Sequence, residues 1–120
     1  MRVNGAHPFE DLFEHACDAA FILDPVADRI VAANPAGAAH LGLPREEVLA
    51  TPISRCHPGE LPQLQEFVGK VLRDGHGTTV TLTCRTVSGE CLPTEVSLYA
   101  FERNGRVHLL ALVQDRSEHR

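Results

Sequence analysis

The chain has 120 residues and 43% hydrophobic content, a length that fits one domain and a composition that excludes a disordered chain. Its net charge of −5 is made by 16 acidic and 11 basic side chains scattered along it, which argues against the concentrated basic face of a nucleic-acid binder. No apolar run approaches the ~20 residues of a membrane-spanning helix.

The N-terminal MRVNGAHPFEDL carries no apolar h-region, so the expectation is an unexported, cytoplasmic chain. The four cysteines, Cys17, Cys56, Cys84 and Cys91, form no CxxC pair and are expected to be reduced. HPFEDLFEHACDA places Phe9, Leu12, Phe13, Ala16 and Cys17 at helical spacing, with Pro8 suited to the first helical position. AAFILD reads as a buried strand, PVAD as a turn set by Pro25 and Asp28, and RIVAA as the return strand of a hairpin. Asn34 is then the predicted N-cap and Pro35 the first residue of the helix PAGAAHLG, which Gly42 stops. Pro44 opens a further one or two helical turns, with Glu46 and Glu47 near their start. TPISRCHPG, with two prolines and a glycine, is expected to be mostly irregular. ELPQLQEFVGKVLRDG sets Leu61, Leu64, Phe67, Val68, Val71 and Leu72 on one face and ends at Gly75, a long amphipathic helix.

The last third is β. TTVTLTCRT alternates Val80, Leu82 and Cys84 with threonines and Arg85, a half-solvated strand. Ser88-Gly89 turns the chain into ECLPTEVSLYAFE, with Val96, Leu98 and Ala100 on one face. Asn104-Gly105 is a strong hairpin signal, and the strand after it, RVHLLALVQD, is apolar on both faces and so expected to be covered on both. Asp115 or Ser117 in the closing DRSEHR would cap a helix continuing past Arg120.

With the order α, ββ, helices, βββ in place, five segments resemble the PAS domain, the sensor module of bacterial histidine kinases, cyclic-dinucleotide enzymes and transcriptional regulators. They are FILDPVADRIVAANPAG, HLGLPREEVLATPI, CHPGELPQLQEFVGKVLRDG, LTCRTVSGECLPTEVSL and LVQDRSEHR, in the family's order and spanning about residues 9 to 119. The resemblance implies an α+β fold: a five-stranded antiparallel sheet, order 2-1-5-4-3, with helices over one face and a cavity between. The strands would be 19–24, 29–33, 77–86, 91–102 and 106–115. Residues 1–8 would flank the domain, 9–116 would form it, and 117–120 would begin a linker helix.

Each cofactor class of that family meets a difficulty here. Haem-binding relatives commonly use a histidine on the long helix, and none lies between Glu60 and Asp74; His57 and His76 only flank it. Photosensing flavin binders carry a reactive cysteine in an NCRFLQ-type stretch, whereas Cys56 comes about three residues too late without the flanking Asn and Gln. Flavin bound without that cysteine would find no Trp and one Tyr to stack on. Haem and flavin are therefore both disfavoured. Cys56-His57 lacks the paired spacing of a zinc site, so no metal is expected. Cys84 and Cys91 straddle the Ser88-Gly89 turn, as a redox pair or as two free thiols. No nucleophile elbow and no phosphate-cradling glycine loop is present, so an enzyme is not expected.

What remains is a cavity or a docking surface. The side chains expected to line the cavity are Phe21, Leu23, Ile30, Ala32, Leu41, Val48, Ile53, Leu64, Phe67, Val68, Leu82, Val96, Leu98, Leu110 and Leu112. Either they fill the core or they leave a site for a small apolar or amphipathic ligand. Asn34, Asp115 and Ser117 are the expected structural and signal-junction residues, Asp115 tethering the exiting chain. The apolar stripe of Phe9, Leu12 and Phe13 and the two-sided final strand lead to an expected homodimer. The chain is expected to serve a larger signalling protein by passing a signal through its last strand to an output domain. Its rivals are a haem- or flavin-bound redox or gas sensor and a ligand-free interaction module.

Overall fold

Turn chemistry sets the course of the chain. The computed structural model describes residues 8–56, 60–85, 88–89 and 91–116. Helix α1 (Pro8–His15) leads into β1 (Ala19–Asp24), which pairs antiparallel with β2 (Arg29–Ala33). The Asp24 carboxylate accepts hydrogen bonds from the backbone N–H groups of Val26 and Ala27, both at 3.1 Å, and so folds the turn locally. Its other oxygen meets Arg106 Nη2 at 2.8 Å. The Ala27 N–H does most to hold the Asp24 carboxyl below the ordinary aspartate value, against the effect of burial; Arg106, Val26 and His108 help.

Helices α2 (Pro35–Leu41) and α3 (Arg45–Leu49) follow, α2 packing on β1 and α3 on β2. Gly42 closes α2 in the left-handed conformation, φ 77°, its N–H reaching Ala38 O and Ala39 O. TPISRCHPG is not wholly irregular: Ile53–Cys56 forms one 3₁₀ turn, while residues 57–59 lie outside the described residues. Helix α4 (Leu61–Asp74) packs on the strands that follow it. Its Val71 and Phe67 come so close to Gly77 that an added Cβ would sit 3.1 and 3.2 Å from them.

The remaining strands are β3 (His76–Thr79), β4 (Thr83–Arg85), β5 (Cys91–Arg103) and β6 (Arg106–Asp115). The sheet order is β2-β1-β6-β5-β3, with β4 also on β5. Because β3 and β4 share one position beside β5, the sheet is five strands wide in the expected 2-1-5-4-3 order. The β5–β6 turn is Asn104-Gly105 with φ 55° and 76°, the two positive values that a type I′ hairpin requires.

One expected strand is broken. The sequence predicts continuous pairing over 77–86, but the register slips by one residue between Thr79↔Val96 and Thr83↔Pro93. Pro93 offers no N–H at the slip, and Thr94 bonds Leu82 O through both its hydroxyl (2.8 Å) and its N–H (3.3 Å). A one-residue slip reverses which side a side chain faces, so Val80 is 55% exposed while Leu82 is 1% exposed. Val80 and Leu82 therefore do not share a face. In the same ladder Cys84 stands opposite Leu92 and Cys91 opposite Arg85, so the two cysteines are not facing partners.

Candidate functional site

The inner sheet face, α4 and the 3₁₀ turn enclose a cavity of about 520 Å³. Period-two alternation supplies its floor: Phe21 and Leu23 from β1, Val96 and Leu98 from β5, and Leu109, Ala111 and Val113 from β6. Ile30 and Leu41 come from β2 and α2, and Leu82 from the slipped segment. Helix α4 forms the wall with one face, on which Leu61, Leu64, Phe67, Val68 and Leu72 repeat at three- and four-residue intervals. Leu61 and Leu72 on that wall are also solvent-exposed, so the cavity opens beside α4.

Leu110 and Leu112 do not line this cavity, contrary to the expectation. Leu110 pairs with Ile22 and Tyr99, and Leu112 with Ala20 and Ser97; all of these positions lie on the outer face. The outer-face leucines are half-buried there rather than fully covered. Ala32, paired with Ile22, is on the same outer face, and Val48 of α3 is packed in the core instead of on the cavity wall. The error is one of parity, and the Asn104-Gly105 turn carries the signal that corrects it. A two-residue turn aligns Arg103 with Arg106, which sets Leu98 opposite Ala111 and Val96 opposite Val113.

Polar groups gather at one end of the cavity, and sequence reasoning missed them. Asp28, in the β1–β2 turn at φ 56°, accepts hydrogen bonds from Ser54 N (3.0 Å) and Ser54 Oγ (2.7 Å) in the 3₁₀ turn. Cys56 lies beside them, and Gln65 of α4 also lines the cavity. Burial, helped by the Asp28 charge, pushes the Cys56 thiol up to about 11, so it stays protonated at neutral pH.

Asn34 joins three segments behind the cavity. It is 0% exposed, and its Oδ1 accepts from Gly37 N (2.7 Å), capping α2, and from Ala20 N (3.0 Å) on β1. Its Nδ2 donates to Phe13 O and Asp18 O, both at 3.0 Å, with Ala16 O further off at 3.5 Å. The one side chain thus serves the end of α1, the start of β1 and the first turn of α2. Gly37 is needed beside it, since an added Cβ would lie 3.0 Å from Ala20 O and the Phe21 ring.

Asp115 is the last residue of β6, paired with Thr94, and Arg116 N donates to Pro93 O. Ser117 and the expected linker helix lie outside the described residues, as does the side chain of Phe9. Phe13 is half-buried, whereas Leu12 is 72% exposed.

A family model described as PAS domain matches residues 18–118. The chain belongs to the PAS domain family. Among solved structures, the PAS domain of nitrogen regulation protein NR(II) from Vibrio parahaemolyticus is 18% identical, TM-score 0.75, with 92% of this chain and 99% of that one covered. A PAS domain from a two-component sensor histidine kinase is 19% identical, TM-score 0.75, covering 89% and 92%. A light-oxygen-voltage domain studied with a flavin analogue is 24% identical, TM-score 0.73, covering 97% and 90%. At these identities the likeness is one of fold. A search of the curated proteins gives no match.

The described residues of the PAS cavity wall do not supply the partners that haem or flavin commonly takes. Among the described residues lining it there is no histidine to ligate haem iron, and the one soft ligand, Cys56, is held as the thiol. Among the described lining residues there is no Arg or Lys to meet haem propionates or a flavin phosphate, and no Trp or Tyr to stack on a flavin ring. No three His, Cys, Asp or Glu side chains among the described residues stand close enough to hold a metal. No described helix is long and apolar enough to cross a membrane.

Proposed function

We infer that this PAS domain is a non-catalytic sensory module of a larger signalling protein, binding a small apolar or amphipathic ligand in its cavity. The observation that carries this is the sharing of β6: Leu109, Ala111 and Val113 form part of the cavity floor, and the same strand runs on to its last residue, Asp115. A ligand touching those side chains bears directly on the exit strand, and a conformational signal needs only that differential contact. A volume of 520 Å³ is in the range of small-molecule sites, and its apolar wall gives water few partners. The fold shared with a PAS domain from a sensor histidine kinase supports an output domain downstream, in a cytosolic signalling protein.

The test is native mass spectrometry of freshly purified protein, together with titration of an environment-sensitive apolar dye. Ala111→Phe fills the floor where Phe21 and Leu98 flank it, and is expected to abolish dye binding in a folded domain. Dye binding unchanged by that substitution sinks the ligand reading in favour of a ligand-free interaction module. The module is further proposed to be a homodimer, supported by exposed Leu12 and half-buried Leu110 and Leu112 on the outer face. A monomer by light scattering at high micromolar concentration refutes that part.

A further inference from the structure

We propose that the cavity selects an amphiphile with an apolar body and a cationic head, the head seated at Asp28. This rests on the ligand-binding reading above and adds the sign of the ligand's charge.

The floor and the α4 wall are carbon, and the polar lining is confined to Asp28, Ser54, Cys56 and Gln65. Among the described lining residues Asp28 bears the one charge, since none is Lys, Arg or His and Cys56 keeps its proton. An anionic head would meet a carboxylate with no cation among the described lining residues, in a site of reduced dielectric; a cationic head would meet its complement. Asp28 is also held in place. Its backbone conformation is fixed in the left-handed region, its carbonyl accepts from Ile53 N (3.3 Å), and its two oxygens take Ser54 N and Ser54 Oγ. Those two donors occupy half of the roughly four acceptor positions of a carboxylate, leaving the group able to bind an ammonium. The volume of about 520 Å³ holds roughly 17 non-hydrogen atoms at a liquid-like ~30 Å³ each, enough for a ten-carbon chain and its head.

The probes are decylammonium, decanol and decanoate, titrated calorimetrically at pH 7 below micelle formation. They are titrated into the wild-type domain, into Asp28→Asn and into Asp11→Asn, which removes an exposed acid on α1 and matches the change in net charge. Asparagine tolerates the left-handed backbone of position 28, and thermal melting checks that the variant is folded. Decylammonium is expected to bind at least about tenfold more tightly than decanoate, and the ratio to fall to about threefold or less in Asp28→Asn, with Asp11→Asn like wild type. Equal binding of the three probes, tighter decanoate, or a preference that survives Asp28→Asn overturns the charge assignment while leaving the cavity a ligand site. Failure of every probe to bind overturns the ligand reading itself.

Discussion

Asn34→Ala isolates what the buried amide does. The substitution removes the α2 cap, which by itself is worth ~1 kcal/mol. It also removes the Asn34 partner of Ala20 N, Phe13 O and Asp18 O, each met at 3.0 Å. Each buried donor or acceptor left unpaired costs ~1–3 kcal/mol, less where the cavity lets water in, so a total of ~3–4 kcal/mol is expected. With an unfolding entropy of ~2.1 cal/mol/K per residue over 120 residues, 1 kcal/mol moves Tm by ~4 °C. Asn34→Ala should therefore melt roughly 12–16 °C lower by differential scanning calorimetry. Asn34→Asp separates the network from a simple cap, because Asp and Asn are about equally good at N-cap positions. Here aspartate keeps the acceptor side but points its second oxygen at Phe13 O and Asp18 O, where Nδ2 donates. A deficit of ~2 kcal/mol, about 8 °C, is expected at pH 7. Burial among carbonyls raises the introduced carboxyl's pKa, so the deficit should shrink as pH falls and the group regains a proton to donate. Asn34→Asp melting within ~2 °C of wild type, or Asn34→Ala losing less than ~4 °C, would refute the account.

Two further outcomes follow from the geometry. Gly37→Ala should destabilise by ~1–3 kcal/mol, read as a Tm shift, because its Cβ would press on the Ala20 carbonyl and the Phe21 ring, both 3.0 Å away; a neutral effect means α2 can lift off β1 freely. His40 has a buried Nε2 without a hydrogen-bond partner, and burial lowers its pKa despite the opposing charge of Asp115. The unfolded chain then binds the proton more readily, so His40 withdraws stability as pH falls below ~6.5 towards its lower folded value. His40→Leu should melt higher than wild type, by a margin that widens from pH 7 to pH 5; a constant margin refutes the titration.

The course of the backbone was legible because its punctuation is local. Pro8, Asn34-Pro35, Gly42, Gly75 and Asn104-Gly105 each impose one backbone conformation on their own neighbourhood, and the elements begin and end at them. The apolar stripe of α4 and the alternation of Val96 and Leu98 likewise named cavity walls from periodicity alone. β6 was less legible: a strand apolar on both faces has no phase, and only pairing with β5 shows that Leu109, Ala111 and Val113 face inward. The interruption at residues 80–82 was hidden for the same reason, since an even alternation of Val80, Leu82 and Cys84 carries no mark of a slip made by Pro93 and Thr94 across the ladder.

By itself the sequence determined the element order, the turn types and an apolar interior, all consequences of interactions within a few residues. Only the tertiary structure decided which face of the final strand meets the cavity, which main-chain groups Asn34 holds, and that Asp28 and Ser54, 26 residues apart, share the polar end of an otherwise apolar site. Those outcomes depend on contacts between segments distant in the chain, and such contacts exist only once the sheet register is set.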